Sequence, residues 1–192
     1  MPDGGSTRQR IERAALRLFV EKGVDGASIR DIAQAVGLSD GALYRHYASK
    51  EDLVWHLFAE AFEGFARELA RLAGCETGTR RKIAAMVRGF CTLFDRDSLL
   101  FRFLLLVQHE LLDRVGPEIA NPVKVVRAII AEGMERKEIP RGDANIAAAM
   151  VMGMILQTAT FSVYGRIRRP LGELAPTLAQ ACWRVLKERQ RS

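Results

Sequence analysis

The stretch from Ser28 to Leu53, "SIRDIAQAVGLSDGALYRHYASKEDL", constrains the fold more than any other, because helix starts and stops crowd into it. Ser28 with Asp31 and Ser49 with Asp52 both follow the S-x-x-D pattern, in which a hydroxyl takes a free backbone N–H and the acid completes the cap. Gly37 is a stop signal between them, and only Leu38 and Ser39 precede the next helical segment, "DGALYRHY". Ile29, Ile32, Ala33 and Val36 supply one apolar face, and Leu43 and Tyr47, four residues apart, supply another. Two short helices joined by so tight a turn predict a helix-turn-helix, whose second helix is shaped to enter a major groove.

The flanking sequence is helical throughout. Residues 1–6 read as a frayed terminus, and "TRQRIERAALRLFVEKG" places Ile11, Ala14, Ala15, Leu18 and Phe19 at helical spacing before Gly23 ends the run. A long helix is expected from Lys50 to about Ala73, then further helices at about 79–95, 98–114, 119–138, 143–165 and 172–189. No strand alternation persists anywhere. The expected fold is all-α: an N-terminal three-helix helix-turn-helix DNA-binding domain at 1–50, then a helical ligand-binding and dimerisation domain at 51–192.

Composition and charge narrow the function classes. The three cysteines, Cys75, Cys91 and Cys182, are far apart and predict free thiols rather than a disulfide framework or a metal site. No apolar run opens the chain, so a cytoplasmic location is expected. Residues 145–165 carry no charge and are long enough to span a bilayer, but Gly, Thr, Ser and Gln157 weaken their hydropathy. A helix buried between helices or in a subunit interface is expected instead, with no membrane. The net charge of +6 is unevenly placed: residues 1–50 hold eight Lys/Arg and six Asp/Glu, residues 51–159 fourteen and fifteen, and residues 160–192 seven and two. Net charge therefore supports DNA binding only weakly, and local placement has to carry the case.

Local placement does point outward to DNA. With Leu43 and Tyr47 turned inward, Tyr44, Arg45 and His46 fall outside or at the edge. Gly41 costs a helix interior roughly 1 kcal/mol relative to Ala, which a close approach to phosphate or base edges explains. Arg45 can bind guanine or hold a phosphate, Tyr44 can donate to phosphate or pack on a thymine methyl, and Lys50 and the Ser28 helix start face the backbone. Asp40 complements the helix dipole as a first-turn residue, and it can also accept from a cytosine amino group.

These residues closely resemble the DNA-binding region of the tetracycline-repressor (TetR) family, and "RIERAALRLFVEKGVDGAS" fits that family's first helix and turn. The resemblance covers about residues 8–58. It implies phosphate contacts at Ser28, Tyr44, His46 and Lys50, and groove contacts around Arg30, Gly41, Ala42 and Arg45. It also implies a homodimer through the last two helices, a double-stranded, roughly palindromic DNA operator, and a small-molecule inducer acting through the long helix after Lys50. Leu174, Leu178, Ala181, Cys182, Val185 and Leu186 fit the dimer role on the last helix. Asp40 departs from the basic or small residue of many relatives.

Candidate pocket walls are Phe65, Phe90, Phe103, Leu106, Val107, Met150, Met154 and Phe161, with Gln108, His109, Gln157 and Thr158 as polar anchors. Core packing accounts for the apolar ones equally well. His109 and Glu110 are adjacent and diverge around a helix, so no metal is expected there, and no nucleotide loop or nucleophile elbow suggests an enzyme or a cofactor. The alternative is a helical protein-interaction module with a vestigial DNA head, a reading for which Asp40 is the best support.

Overall fold

In a computed structural model, the chain is described over residues 6–116 and 119–188; the first five residues of the expected frayed terminus 1–6 and the expected helix end at 189 lie outside these residues, whereas Ser6 is not frayed but caps the first helix. Among them there are only helices, in the order α1 (Thr7–Gly26), α2 (Ile29–Ala35), α3 (Asp40–Tyr44), α4 (Lys50–Gly74), α5 (Thr79–Arg96), α6 (Ser98–Leu111), a 3-10 turn (Leu112–Arg114), α7 (Pro122–Glu135), α8 (Ala144–Val163) and α9 (Leu171–Lys187). They form two compact units, Met1–Ala61 with Leu99–Pro117, and Phe62–Ser98 with Glu118–Ser192. The first unit thus includes α6, which chain order alone assigns to the larger domain.

In the first unit, α1 starts at a capping box between Ser6 and Gln9 and buries Ile11, Ala15 and Phe19. Helical assignment continues to Gly26, but Gly23 breaks the backbone at φ +78°, a conformation open to glycine, so the continuous helix ends where its sequence predicts. Ile32, Leu43, Leu53 and Phe58 complete the core with no exposed surface worth counting. Phe103 of α6 stacks on Phe19 at 5.9 Å, and Arg114 lies over the Trp55 ring at 4.4 Å. These contacts explain why α6 joins this unit.

In the second unit, α5 packs chiefly on α9 and α7 on α8. Ile83, Val87, Ile130, Val151, Leu171 and Cys182 are buried there. Polar ties sit at helix ends: Asp95 accepts from the N–H groups of Leu171 (2.9 Å) and Gly172 (2.7 Å), supplying a cap that Pro170 lacks. Glu138 accepts from Thr79 N–H at 2.6 Å, and Lys82 pairs with Glu132 at 2.6 Å. The helix expected from 119 starts at Pro122, because Asn121 caps it by accepting from Val123 N–H and proline suits the first helical position. Burial pushes the thiols of Cys91 and Cys182 up to about 11, so both stay protonated, while Cys75 is exposed.

The uncharged helix α8 meets the length and composition for crossing a membrane, and only 28% of its apolar window is buried. It is not wrapped by its own chain, contrary to one of the two placements its sequence allowed. Ile146, Met150, Phe161 and Tyr164 stand exposed along one face, with Gly153 open among them.

Candidate nucleic-acid interface

The turn between α2 and α3 follows from a chain of local hydrogen bonds. Ser28 Oγ accepts from Asp31 N–H (3.1 Å) and donates to Asp31 Oδ2 (2.8 Å), while Ser28 N–H donates to the same carboxylate oxygen (3.0 Å). These bonds hold Asp31 below the usual carboxylate range. At the far end, Gly37 at φ +71° lets its own N–H reach Gln34 O and Leu38 N–H reach Ala33 O, a Schellman closure. Arg10 Nη2 donates to Val36 O at 2.7 Å, tying this helix end to α1.

The recognition helix is shorter than "DGALYRHY": it ends at Tyr44, and the chain turns through Arg45 and His46 before the second serine cap. Ser39 Oγ accepts from Ala42 N–H at 3.2 Å, so Ser39 caps α3 and Asp40 does not. Leu43 and Tyr47 are buried as expected. Asp40, Gly41, Tyr44, Arg45 and His46 are exposed and Ala42 is half-buried; Tyr44 is 53% exposed, an unusual position for so large a ring. Nothing lies within 4 Å of where a Gly41 side chain would begin. Arg30 is exposed on α2, and Ser28 is exposed at its start.

Three features behind this surface escape sequence reasoning. Lys50 Nζ donates to Val24 O at 2.9 Å, so one of its three protons closes the turn after α1. Tyr47 donates to Glu12 Oε1 at 2.6 Å, fastening the end of the recognition element to α1; burial and the Glu12 carboxylate raise its hydroxyl pKa and keep it a donor. Arg8 pairs with Glu12 at 3.0 Å and donates to His56 Nε2 at 2.6 Å, and His56 lies 3.1 Å from Glu60. Glu12, His56 and Glu60 form a grouping of metal-ligand types, in which Glu12 of α1 joins the neighbouring pair His56 and Glu60 of α4. The Arg8 guanidinium supplies the positive charge they share.

The second unit holds a cavity of about 40 Å³, lined by Phe65, Leu69, Met86, Val87, Phe90, Pro122, Val126, Val151, Met152, Ile155 and Leu156. Two expected walls, Phe65 and Phe90, meet there edge-to-face at 5.5 Å. The others lie elsewhere. Phe103 and Val107 are buried in the first unit, whose helix α6 also carries Leu106, Gln108 and His109. Met150 and Phe161 face outward on α8, Gln157 is exposed, Met154 is half-buried away from the lining, and Thr158 Oγ1 donates to Met154 O at 2.7 Å. No expected polar anchor reaches the cavity. A helix face chosen by amphipathic spacing does not say which of two cores receives it.

A short recognition helix capped by Ser39 and tied to its neighbours, with exposed polar groups outward, has the geometry of a helix-turn-helix DNA-binding head. A family model for bacterial regulatory proteins of the tetR family matches residues 11–57. A fatty acid metabolism regulator protein of Bacillus subtilis is 26% identical over 156 residues, 79% of this chain and 80% of that protein. The fold is shared with the fatty acid degradation regulator FadR of Bacillus halodurans, at a TM-score of 0.78 and 21% identity, covering 97% of this chain and 100% of the other. It is shared too with FadR of Bacillus subtilis in complex with stearoyl-CoA, at a TM-score of 0.74 and 23% identity, covering 91% and 96%. Over residues 11–57 the chain resembles bacterial regulatory proteins of the tetR family, and across its length it shares the fold of these relatives.

Proposed function

We propose that the protein is a homodimeric cytoplasmic repressor that holds a palindromic operator until a long-chain fatty acyl thioester enters the second unit. The observation that carries the ligand class is the wholly apolar cavity lining: no side chain there offers a hydrogen bond, which suits hydrocarbon and no polar metabolite. The stearoyl-CoA bound by the Bacillus subtilis relative supports the same class. At about 40 Å³ the cavity has room for only a few water-sized groups. A long chain therefore has to part its walls, and the adaptable side chains of Met86 and Met152 suit that role. A ligand that binds only the parted form draws the protein toward it, which is the energetic requirement for induction.

The dimer reading rests on the exposed apolar face of α8 and the half-buried Leu174, Leu178, Ala181 and Val185 of α9. Cys182 and Leu186 belong to the core of their own chain and do not contribute. DNA contacts are assigned to Ser28, Arg30, Asp40, Gly41, Ala42, Tyr44, Arg45, His46 and Lys50.

A gel-shift titration with the DNA upstream of the protein's own gene tests the reading. Palmitoyl-CoA should release the complex and free CoA should not, while Val126→Phe, which fills the cavity, should keep DNA binding and lose the response. Release by free CoA, or an unaltered response in the filled variant, rejects the acyl cavity. Met150→Glu with Phe161→Glu should give monomers by sedimentation; an intact dimer rejects the proposed interface.

A further inference from the structure

We propose that Asp40 is a specificity-determining residue that reads a cytosine amino group in each half of the operator. The inference rests on DNA binding by the first unit and says which base one position of its recognition helix demands. Asp40 is the first residue of α3, and the N-terminal residues of a recognition helix are those that meet base edges in the major groove. Its side chain is exposed, and no hydrogen bond or ion pair among the described residues engages it. The hydroxyl of Ser39 already serves the free N–H of Ala42, so the carboxylate is not needed as a cap.

An unengaged carboxylate on this surface has a definite chemical meaning. It repels phosphate, so it weakens binding to every DNA sequence unless a base repays it. It can only accept hydrogen bonds. Guanine presents acceptors O6 and N7 in the major groove and thymine presents O4, so both repel it; the cytosine N4 amino group is the donor that suits a carboxylate. Adenine offers N6 beside the acceptor N7, which suits an amide rather than an acid. Gly41 next along leaves the side-chain volume beside Asp40 empty, so the helix start can approach the base edge closely. Asp40 thus turns a general repulsion into discrimination: it lowers affinity for all sequences and restores it only where cytosine stands.

The full-length protein, its Asp40→Ala variant and its Asp40→Asn variant are each used to enrich binders from a randomised palindromic duplex library, and circular dichroism confirms that all three melt alike. Wild type should demand cytosine at one position of each half-site. In Asp40→Ala that preference should fall by roughly five- to a hundredfold, with preferences elsewhere retained and non-specific binding strengthened. Asp40→Asn should move the same position toward adenine. If both variants keep every base preference and merely bind all sequences more tightly, Asp40 is a repulsive surface charge and the proposal is overturned. A wild-type protein that enriches no sequence overturns the operator reading itself, and this inference with it.

Discussion

The recognition surface and the apolar cavity solve opposite problems with the same helical material. Around the recognition helix every turn is tied: a capping box at Ser28, a Schellman closure at Gly37, Arg10 on Val36, Lys50 on Val24 and Tyr47 on Glu12. The surface offered to DNA is therefore set before DNA arrives, and little ordering entropy remains to be lost on binding. Around the cavity the walls meet only through apolar side chains, and the polar ties of that unit, Asp95 on α9 and Glu138 on α5, sit at helix ends. Apolar contacts are non-directional and can be remade after a shift. The two regions thus differ in how they are held: directional polar bonds fix the first, and remakeable apolar contacts hold the walls of the second.

The largest test of the rigid part is Leu43→Ala, which empties the fully buried side chain under the recognition helix. It should cost about 2–5 kcal/mol in urea unfolding of the first unit, by loss of transfer energy and a residual cavity; a cost near zero would mean that the helix is not held from beneath. Next comes Gly133→Ala in the second unit, where the added methyl would run into the buried side chain of Thr79. Overpacking of this kind should cost about 1–3 kcal/mol, and a neutral thermal midpoint would show that softness extends to α5 and α7. Tyr47→Phe deletes only the bond to Glu12 and should cost about 1 kcal/mol together with some operator affinity. Unchanged DNA binding at lowered stability would separate the strut from recognition.

The smallest effect is a pH dependence. Thr79 N–H holds the Glu138 carboxyl below its ordinary 4.5. A lowered folded pKa contributes stability that is fully present above the unfolded value and is lost as pH falls through the folded one. Acid melts of wild type should therefore lose a small increment below pH 4.5 that Glu138→Gln does not show. Identical acid profiles would remove the tie.

Legibility divides along the same line. The boundaries of α2 and the start of α4 could be read because Ser28, Asp31, Gly37, Ser49 and Asp52 act within a few residues. The inward pair Leu43 and Tyr47 was legible too, since four-residue spacing fixes a helix face. The membership of α6 was hidden, because it depends on Phe19 meeting Phe103 across most of the chain's first half. That single contact removes Phe103 and Val107 from the pocket to which their type and spacing had assigned them. Phe65 and Phe90 could be named, whereas Met86, Met152 and Val126 look like any core residues in sequence. The interactions of Lys50 with Val24 and of Arg8 with His56 join residues far apart in the chain, and no local pattern announces them.

The carboxylate of Asp95 carries a consequence for how the chain is made. Helix α9 begins after a proline that offers no side-chain cap, so its first amides wait for a partner fixed far upstream. A ribosome delivers α5 before α9, so the carboxylate that accepts from Leu171 is synthesised before the amides it serves. Helix α9 therefore has no local side-chain cap of its own, and truncating Asp95 removes the acceptor for its first amides though it lies outside that helix.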